Sequence, residues 1–316
     1  MKILLTGGAG FIGSHIAQMY LNEGYELIII DNLSSGNMDN IASIIHHPKL
    51  TFYQCDIRNK AYLSEIFAKH KPDIINLHAA QKSVPFSVND PINDLEINGL
   101  GFLNLLSLAI THNTKKIIYI SSGGVLSKDL ISDVLSTEND FPSLASPYAV
   151  TKYLGEEYLH IYSKLNDFKW VSLRYGNVYG PRQTADGECG VIPIFINNIK
   201  ANKPSKLYTY PDMPRGCTRD YIHVFDVVDV NKLVTKTIDV SEEIINVGSG
   251  IELPILDIYE AITKVYNSDL PIIICPPRIG DIKRSVLNIN KVKKLLKWEP
   301  KVSFFEGLKT LEYRSD

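Results

Sequence analysis

The sequence has few cysteines, no long apolar stretch and almost no excess of either charge. Its four cysteines lie far apart and none forms a Cys-x-x-Cys pair, so we expect neither a metal site nor a disulfide framework. Free thiols are typical of a reducing compartment. The formal net charge of −2 gives no sign of a nucleic-acid partner or of a polybasic membrane contact.

No apolar run approaches the ~20 residues of a membrane span. A strand-like run begins directly after Met1, which leaves no space for a cleavable signal peptide. We therefore expect a cytoplasmic protein that does not contact membranes. Its 316 residues, 45% hydrophobic and 22% charged, are sufficient for one large domain or two smaller ones.

A glycine-rich turn separates the first strand-like run from the first helical pattern. Lys2 to Thr6 predicts a buried strand, and Ser14 to Asn22 has helical apolar spacing. Between them, Gly7, Gly10 and Gly13 form the pattern Gly-x-x-Gly-x-x-Gly. The first two permit a tight turn close to a pyrophosphate, and the third lets the helix pack on the strand. This arrangement is typical of a dinucleotide-binding fold.

An acid ends the second strand-like run, Glu26 to Ile30. Asp31 lies eighteen residues after Gly13, where a carboxylate accepts from a ribose diol and repels a 2′-phosphate. The position favours NAD over NADP as the cofactor. The alternative is an aspartate that caps the following turn.

Three further strand-like runs alternate with helical patterns, as expected for an α/β fold with a parallel sheet. They are Leu50 to Gln54, Asp73 to Leu77 and Lys116 to Ile120. Ligands of such sheets bind at the carboxyl ends of the strands. A sixth strand is predicted over Trp170 to Arg174, and a helix with a core-facing apolar stripe is predicted from Pro91.

Polar side chains follow these strands. Asp56 is placed to meet an adenine edge, and Ser121 and Ser122 either complete an acid/base set or lie in a plain turn. His78 is a conceivable base, although a single histidine at a strand end favours a structural role.

Tyr148 and Lys152 are four residues apart, so on a helix they share one face. A phenol titrates near pH ~10, and a neighbouring ammonium lowers that pKa. Such a tyrosine can take a proton from a hydroxyl and return it. The alternative is an exposed pair on an ordinary helix.

Together these residues resemble the extended short-chain dehydrogenase/reductases, and among them the nucleotide-sugar 4-epimerases of the UDP-glucose 4-epimerase type. The resemblance extends over nearly the whole chain. The motifs that carry it are Gly7 to Gly13, Asp31-Asn32, His78 to Gln81, Tyr148 with Lys152, Arg174 to Arg182, Thr218 to Val224 and Arg278 to Asp281.

The resemblance implies a Rossmann-type doubly wound parallel sheet with a smaller C-terminal α/β lobe that binds the substrate. It also implies the chemistry. Tyr148, as phenolate, would remove the proton of a sugar 4′-hydroxyl while hydride passes from C4 to NAD, and Lys152 would hold the nicotinamide ribose. The 4-keto sugar would then rotate and receive the hydride on its opposite face.

The predicted site has three parts, of which the catalytic part is Tyr148, Lys152 and Ser122. The predicted NAD site consists of Gly7, Gly10, Phe11, Ile12, Gly13, Asp31, Asn32, Asp56, Ile57, Leu77, Ala79, Ala80, Lys82, Asn98, Ser121, Tyr148, Lys152 and Tyr175. The predicted UDP-sugar site consists of Lys82, Ser122, Tyr148, Asn177, Val191, Arg219, Arg278, Asp281 and Ser285.

The segment after the fifth strand departs from the pattern of the family. Relatives have Ser-Ser-x-x-x-Val-Tyr-Gly, whereas this chain continues from Ser121-Ser122 with Gly123-Gly124-Val125-Leu126-Ser127-Lys128. The usual serine position falls on Gly123, which leaves Ser122 as the nearest hydroxyl. The acidic residues of family dehydratases and decarboxylases do not occur between Ser121 and Ser127.

Two domains are predicted. Residues 1–180, with return segments near 218–250, would bind NAD, and residues 181–316 would mainly bind substrate. In the second domain, Arg219 and Arg278 match phosphate-binding arginines by resemblance, the alternative being ordinary surface residues. Asn177 would reach the same diphosphate, and Val191 would open a helix beside the uracil.

Ser285 occupies a position where relatives restricted to glucose and galactose have a bulky residue. A small side chain leaves room for a 2′-N-acetyl group, which favours UDP-GlcNAc and UDP-GalNAc, with UDP-Glc and UDP-Gal as further substrates. Two other functions remain open at this stage. They are a nucleotide-sugar oxidoreductase or decarboxylase of the same fold, and a non-catalytic protein that binds NAD or a sugar nucleotide. By resemblance we also expect a homodimer.

Overall fold

The computed structural model describes residues 1–127, 134–185, 190–237, 239–277 and 282–311. The chain divides into two compact units. The first consists of Met1–Leu126, Leu144–Arg174 and Val228–Ile245, and the remaining described residues form the second. The binding roles assigned above to residues 1–180 and 181–316 stay predictions.

The strands are numbered along the chain. They are β1 (Lys2–Thr6), β2 (Glu26–Asp31), β3 (Leu50–Gln54), β4 (Ile74–Leu77), β5 (Lys116–Ser122), β6 (Lys169–Tyr175), β7 (Asn177–Tyr179), β8 (Ser205–Tyr208), β9 (Thr218–His223), β10 (Glu243–Val247), β11 (Glu252–Pro254), β12 (Ile272–Cys275) and β13 (Arg284–Ser285).

The α-helices are α1 (Phe11–Asn22), α2 (Lys60–His70), α3 (Val84–Asn89), α4 (Pro91–Leu95), α5 (Phe102–Thr111), α6 (Gly123–Leu126), α7 (Pro147–Leu165), α8 (Val191–Lys200), α9 (Val224–Lys236), α10 (Ile255–Val265), α11 (Asn290–Leu296) and α12 (Phe304–Lys309). A 3-10 helix spans Met38–Ile41, and a π-helix, Glu96–Gly101, joins α4 to α5.

The first unit is built on a seven-stranded sheet in the order β10-β6-β5-β4-β1-β2-β3. β1 pairs with β2 on one side and with β4 on the other, and β3 and β5 extend the sheet, all in parallel register. The residues of β1 from Ile3 to Leu5 are completely buried, as expected for a sheet with helices on both faces. The predicted doubly wound α/β fold is confirmed.

The order of the strands reverses between β1 and β4. In open α/β sheets, ligands bind beyond the carboxyl ends of the strands at such a reversal. The glycine turn after β1 and the small residues after β4 therefore lie where a ligand is expected.

Two local differences from the sequence prediction concern this end of the sheet. Ser121 and Ser122 continue β5 as its last residues, rather than following the strand. The helix predicted from Pro91 is interrupted by the π-helix, in which Asn98 lies. A π-helix rotates the side chains after it relative to a regular α-helix, and such turns often occur at functional sites.

The second unit contains a four-stranded sheet around β9. β7 and β13 pair with β9 in parallel and β11 pairs with it in antiparallel, while β8 and β12 form a separate parallel pair. Its core includes Phe195 of α8 and Tyr259 of α10, whose ring centroids are 5.1 Å apart. Leu308 anchors α12 to the same core.

Candidate functional site

The glycine turn after β1 is too tightly packed for side chains. Gly7 has a φ of +68°, and a Cβ there would lie 2.8 Å from the backbone nitrogen of Ala79, which follows β4. A Cβ on Gly13 would lie 2.1 Å from the carbonyl oxygen of Gly7. Gly10 is the N-cap residue of α1, and Phe11 and Ile12 begin the helix half-buried. The turn thus brings backbone N–H groups and a helix N-terminus together, as phosphate binding requires.

Asp31 ends β2, and its carboxylate accepts fewer hydrogen bonds than it has acceptor sites. Its oxygens accept from the backbone N–H of Ala9 at 2.9 Å and of Leu33 at 2.8 Å. A carboxylate has about four lone-pair sites, so two are available to a ribose diol. Among the described residues, no lysine or arginine forms an ion pair with Asp31. Burial raises the pKa of Asp31.

Asp56 already accepts four hydrogen bonds. Three come from Arg58, through its backbone nitrogen, Nε and Nη2, and the fourth from Nδ2 of the exposed Asn32. These bonds, those of Arg58 foremost, lower the pKa of Asp56 to about 2. Contact with an adenine edge would require one bond to be released. Ile57 is buried beside Gly101.

The end of β4 and the π-helix are joined by a pair of reciprocal bonds. Asn98 accepts from the backbone nitrogen of Gln81 and donates to its carbonyl oxygen, both at 2.9 Å. Leu77 is buried, Ala79 and Ala80 are half-buried, and Lys82 is exposed. The small residues leave the backbone accessible next to the glycine turn.

Ser121 has a buried hydroxyl with no hydrogen-bond partner among the residues that the structure describes. A buried polar atom is normally bonded, so this hydroxyl is suited to a ligand atom. Ser122, the predicted catalytic serine, is half-buried next to it.

Tyr148 and Lys152 lie in the first turns of α7, which Ser146 caps by accepting from the backbone nitrogen of Ala149 at 3.2 Å. The Lys152 ammonium nitrogen lies 5.7 Å from the Tyr148 ring centroid. It donates to the carbonyl oxygen of Ile120 at 2.9 Å, and burial lowers its pKa to about 8. The predicted pair therefore exists, with the lysine buried and the tyrosine half-buried.

His78 lies near this pair. Burial, followed by the charge of Lys152, lowers the pKa of His78 to about 3. A neutral imidazole with so low a pKa is a poor general base at neutral pH, which favours the structural role.

Sequence reasoning missed Asp94 and Arg58. Asp94 is completely buried and accepts from Gln81, Asn98 and Thr151. Arg58 connects Asp56 to Asn93 of α4, with a donor–acceptor distance of 3.2 Å. Nothing in their local patterns distinguishes them from ordinary surface residues.

In the second unit, β7, β9 and β13 carry three of the predicted substrate residues. The Nη1 of Arg219 donates to the carbonyl oxygen of Thr218 at 2.8 Å, which leaves further N–H donors of the guanidinium for a phosphate. Asn177 donates to the carbonyl oxygen of Asp220 at 3.2 Å. Ser285 is buried and pairs in register with Arg219.

The other predicted residues are placed as follows. Val191 begins α8 and is half-buried, and Tyr175 is buried at the end of β6. Arg278 and Asp281 lie outside the described residues. No group of three potential metal ligands occurs in the part of the chain that the structure describes, and within that part no helix has the length and apolar character needed to cross a membrane.

The model of the NAD dependent epimerase/dehydratase family matches residues 3–248. The chain belongs to this family. The match, together with the relatives below, confirms the predictions of an NAD-dependent epimerase and of NAD as its cofactor. The glycine turn, the half-bonded Asp31 and the unpaired hydroxyl of Ser121 all fit a bound dinucleotide.

This epimerase is similar along its whole length to known proteins. It is 36% identical to the UDP-glucose 4-epimerase of Mycolicibacterium smegmatis over 99% of this chain and 98% of the relative. The structure of the Thermotoga maritima UDP-glucose 4-epimerase with UDP-glucose has a TM-score of 0.92 and 36% identity, covering 99% of this chain and 98% of that one.

A third relative acts on an N-acetylated sugar. The UDP-N-acetylglucosamine 4-epimerase of Methanobrevibacter ruminantium M1, solved in complex with UDP-N-acetylmuramic acid, has a TM-score of 0.89 and 33% identity, covering 98% of this chain and 96% of that one.

Proposed function

We propose that this protein inverts C4 of a UDP-hexose, either UDP-GlcNAc/UDP-GalNAc, UDP-Glc/UDP-Gal or both, by transient oxidation to a 4-keto sugar. The observation that carries the proposal is the Tyr148–Lys152 pair on α7, in the same compact unit as a glycine turn that fits NAD. The names of the relatives from M. smegmatis, T. maritima and M. ruminantium support the substrate class.

Tyr148 would act on the proton of the 4′-hydroxyl. As phenolate it takes that proton while the C4–H bond breaks and its electron pair leaves with the hydrogen as hydride. NAD, when bound, supplies the acceptor and later the donor for this hydride. Tyr148 returns the proton to O4 when C4 is reduced on its opposite face, so the net change is inversion alone.

Lys152 and Ser122 would assist Tyr148. The Lys152 ammonium favours the phenolate form of a neighbouring phenol, and its bond to the carbonyl oxygen of Ile120 fixes its position. The Ser122 hydroxyl, at the end of β5, would donate to the 4′-oxygen. Loss of the Ser122 hydroxyl should lower turnover without removing NAD, whereas loss of Lys152 should lower turnover and also weaken NAD binding.

The nucleotide part of the substrate would be bound in the second unit. Arg219 presents guanidinium donors suited to a diphosphate, and Asn177 lies on β7, which pairs with β9. Val191 at the start of α8 would contact the uracil. Replacing Arg219 with Met should raise KM for the UDP-sugar much more than it lowers kcat.

The preference for N-acetylated sugars is proposed from Ser285. Its side chain is small, and it lies on the strand that pairs with β9 beside Arg219. Ser285→Tyr should remove turnover of UDP-GlcNAc and UDP-GalNAc and spare that of UDP-Glc and UDP-Gal. An equal loss on both pairs of substrates would refute the assignment.

One assay tests the proposed function. The purified protein is incubated with each UDP-sugar, the products are separated by chromatography, and absorbance is followed at the NADH wavelength. Appearance of the C4 epimer without net NADH supports the proposal. Net NADH would indicate an oxidoreductase instead, or a decarboxylase that does not return the hydride to the sugar. Bound NAD without any product would indicate a binding protein.

A homodimer is proposed from an exposed apolar face on α4 and α7. Ile92 and Leu95 on α4 are 71% and 46% exposed, and Val150, Ile161 and Leu165 on α7 are 45%, 50% and 73% exposed. The three residues of α7 share one helical face, since they are spaced by eleven and four positions. Sedimentation should give a dimer, and a monomer at micromolar concentration would contradict this.

The cytosolic location stays a prediction.

A further inference from the structure

Asp94 is a completely buried carboxylate that connects three segments of the first unit. Gln81, after β4, donates to its Oδ1 through Nε2 at 2.7 Å. Asn98, in the π-helix, donates to the same oxygen at 3.0 Å. Thr151, in α7, donates to its Oδ2 through Oγ1 at 2.8 Å. One carboxylate thus fixes Thr151, which is adjacent to Lys152, and Asn98, which is predicted to line the NAD site.

The charge of Asp94 has no directly bonded cation in the described part of the chain. By contrast Glu156, the other buried carboxylate of this region, is paired with Arg174 at 2.6 Å. Burying a carboxylate is costly unless it is compensated, and aspartate is almost never fully buried without a partner. A neutral side chain could provide most of the same hydrogen bonds, so the negative charge itself calls for an explanation.

The explanation lies in the groups around Lys152. Tyr119 of β5 has its ring centroid 5.4 Å from the Lys152 ammonium nitrogen, and Tyr148 and Glu156 belong to the same helix as Lys152. His78, after β4, is near enough for its pKa to be lowered by the Lys152 charge. Tyr119, Tyr148 and His78 are neutral in their ordinary forms, which leaves Asp94 and Glu156 as the negative charges.

Asp94 and Glu156 differ in how far their negative charge is already compensated by a bonded cation. The charge of Glu156 is largely compensated by Arg174, to which it is joined by two hydrogen bonds. Asp94 is the larger of the two influences that raise the pKa of Lys152 against the effect of burial. Asp94 also accepts from Thr151, the residue that precedes Lys152 in α7, so its negative charge is fixed close to the Lys152 ammonium.

We propose that Asp94 is a positioning residue of the reaction: it holds Thr151, Asn98 and Gln81 in place, and it supplies the negative charge that stabilises the Lys152 ammonium beside Tyr148. This inference rests on the proposed function, in which that ammonium assists Tyr148. Asp94 itself contacts neither substrate nor cofactor in this scheme.

Asp94→Asn separates charge from hydrogen bonding. The amide oxygen can still accept from Gln81 and Asn98, and the Thr151 hydroxyl can rotate to accept from the amide nitrogen. The matched control is Asp90→Asn, at the exposed N-cap of the same helix, where asparagine also caps well. Both substitutions remove one negative charge from α4.

The charge of Lys152 is measured directly by ¹³C NMR of protein labelled at lysine Cε, with the resonance assigned through Lys152→Met. In parallel, kcat and KM for the UDP-sugar are measured as functions of pH. Asp94→Asn should lower the midpoint of the Lys152 titration by about one pH unit. The alkaline limb of kcat should move by the same amount, while KM and the Asp90→Asn control stay as in wild type.

Thr151→Val provides a second, independent variant. It removes one bond to Asp94 and keeps the charge, so kcat should fall by about tenfold while the midpoint of Lys152 stays in place. If the Asp94→Asn protein does not fold, Thr151→Val tests the positioning role instead. A wild-type kcat in Thr151→Val would overturn that role.

The proposal is overturned if the Lys152 midpoint in Asp94→Asn matches that of wild type. Because the NMR titration does not depend on turnover, this result is distinct from failure of the proposed function. That failure would show as a wild-type protein that epimerises no UDP-hexose.

Discussion

Gly13→Ala is the substitution whose effect can be worked out most directly from the structure. The added Cβ would lie 2.1 Å from the carbonyl oxygen of Gly7 and 2.9 Å from its carbonyl carbon. Carbon and oxygen atoms do not approach closer than about 3.2 Å, so the turn or α1 must move by about 1 Å. Both contacted atoms belong to the backbone of Gly7, so no flexible side chain can move aside to relieve the clash.

A displacement of that size should weaken NAD binding strongly. A misplacement of about 1 Å in a positioned site can cost on the order of 100-fold, which corresponds to about 2.7 kcal/mol of binding free energy. The dissociation constant for NAD is measured by isothermal titration calorimetry on protein freed of nucleotide, and NAD that copurifies is quantified after denaturation. The dissociation constant should rise by about this factor, and less NAD should copurify with the variant than with wild type.

Gly24→Ala is the matched control for Gly13→Ala. Gly24 has a φ of +82°, so alanine is strained there, but its Cβ would have only the Lys49 ammonium nitrogen nearby, at 3.8 Å. It should lower stability by about 1 kcal/mol and leave NAD affinity unchanged. A folded Gly13→Ala protein with wild-type affinity for NAD would refute the reasoning.

Three further predictions concern buried charges. Lys116 is buried and donates to the carbonyl oxygens of Val234, Thr237 and Val240 near the end of α9. Lys116→Met should therefore lower the free energy of unfolding, measured by urea denaturation, by about 3 kcal/mol. KM for the UDP-sugar should not change. Glu156→Gln leaves the buried Arg174 without its ion pair and should cost about 3 kcal/mol in the same measurement; no change in either variant would contradict these estimates. Burial lowers the pKa of Lys152 to about 8, so its ammonium is present below that pH and lost above it. We therefore expect kcat to fall on the alkaline side with a midpoint near pH 8. A kcat that stays constant from pH 7 to 10 would contradict this.

Much of the first unit could be predicted because its signals are local. Runs of apolar residues specified β1 to β5, and the glycines specified the turn, since only glycine permits so close an approach of backbone to backbone. The four-residue spacing of Tyr148 and Lys152 placed both on one face of α7. Each of these inferences needs only neighbouring residues and a known period.

What the sequence did not reveal depends on contacts between distant segments. Asp94 is an ordinary polar residue in its own helix, and its role becomes visible only when Thr151, 57 positions away, donates to it. Arg58 is similar, since it reaches Asn93 as well as the nearby Asp56. The π-helix that directs Asn98 toward Gln81 has no local signature that distinguishes it from a continuous helix.

Ser121 shows a related limit. Its pattern indicated a residue at or after a strand end, but only the structure shows that its hydroxyl is buried without a partner among the described residues. Satisfaction of a hydrogen bond is a property of the folded surroundings, so periodicity and spacing cannot supply it.

The most direct test of the account is turnover by Tyr148→Phe, which removes one oxygen and leaves the ring. UDP-sugar epimerisation is measured with the NAD content of the same preparation. We expect a kcat lower by about 10² to 10⁴-fold with bound NAD unchanged. Full turnover by the Phe variant would contradict it.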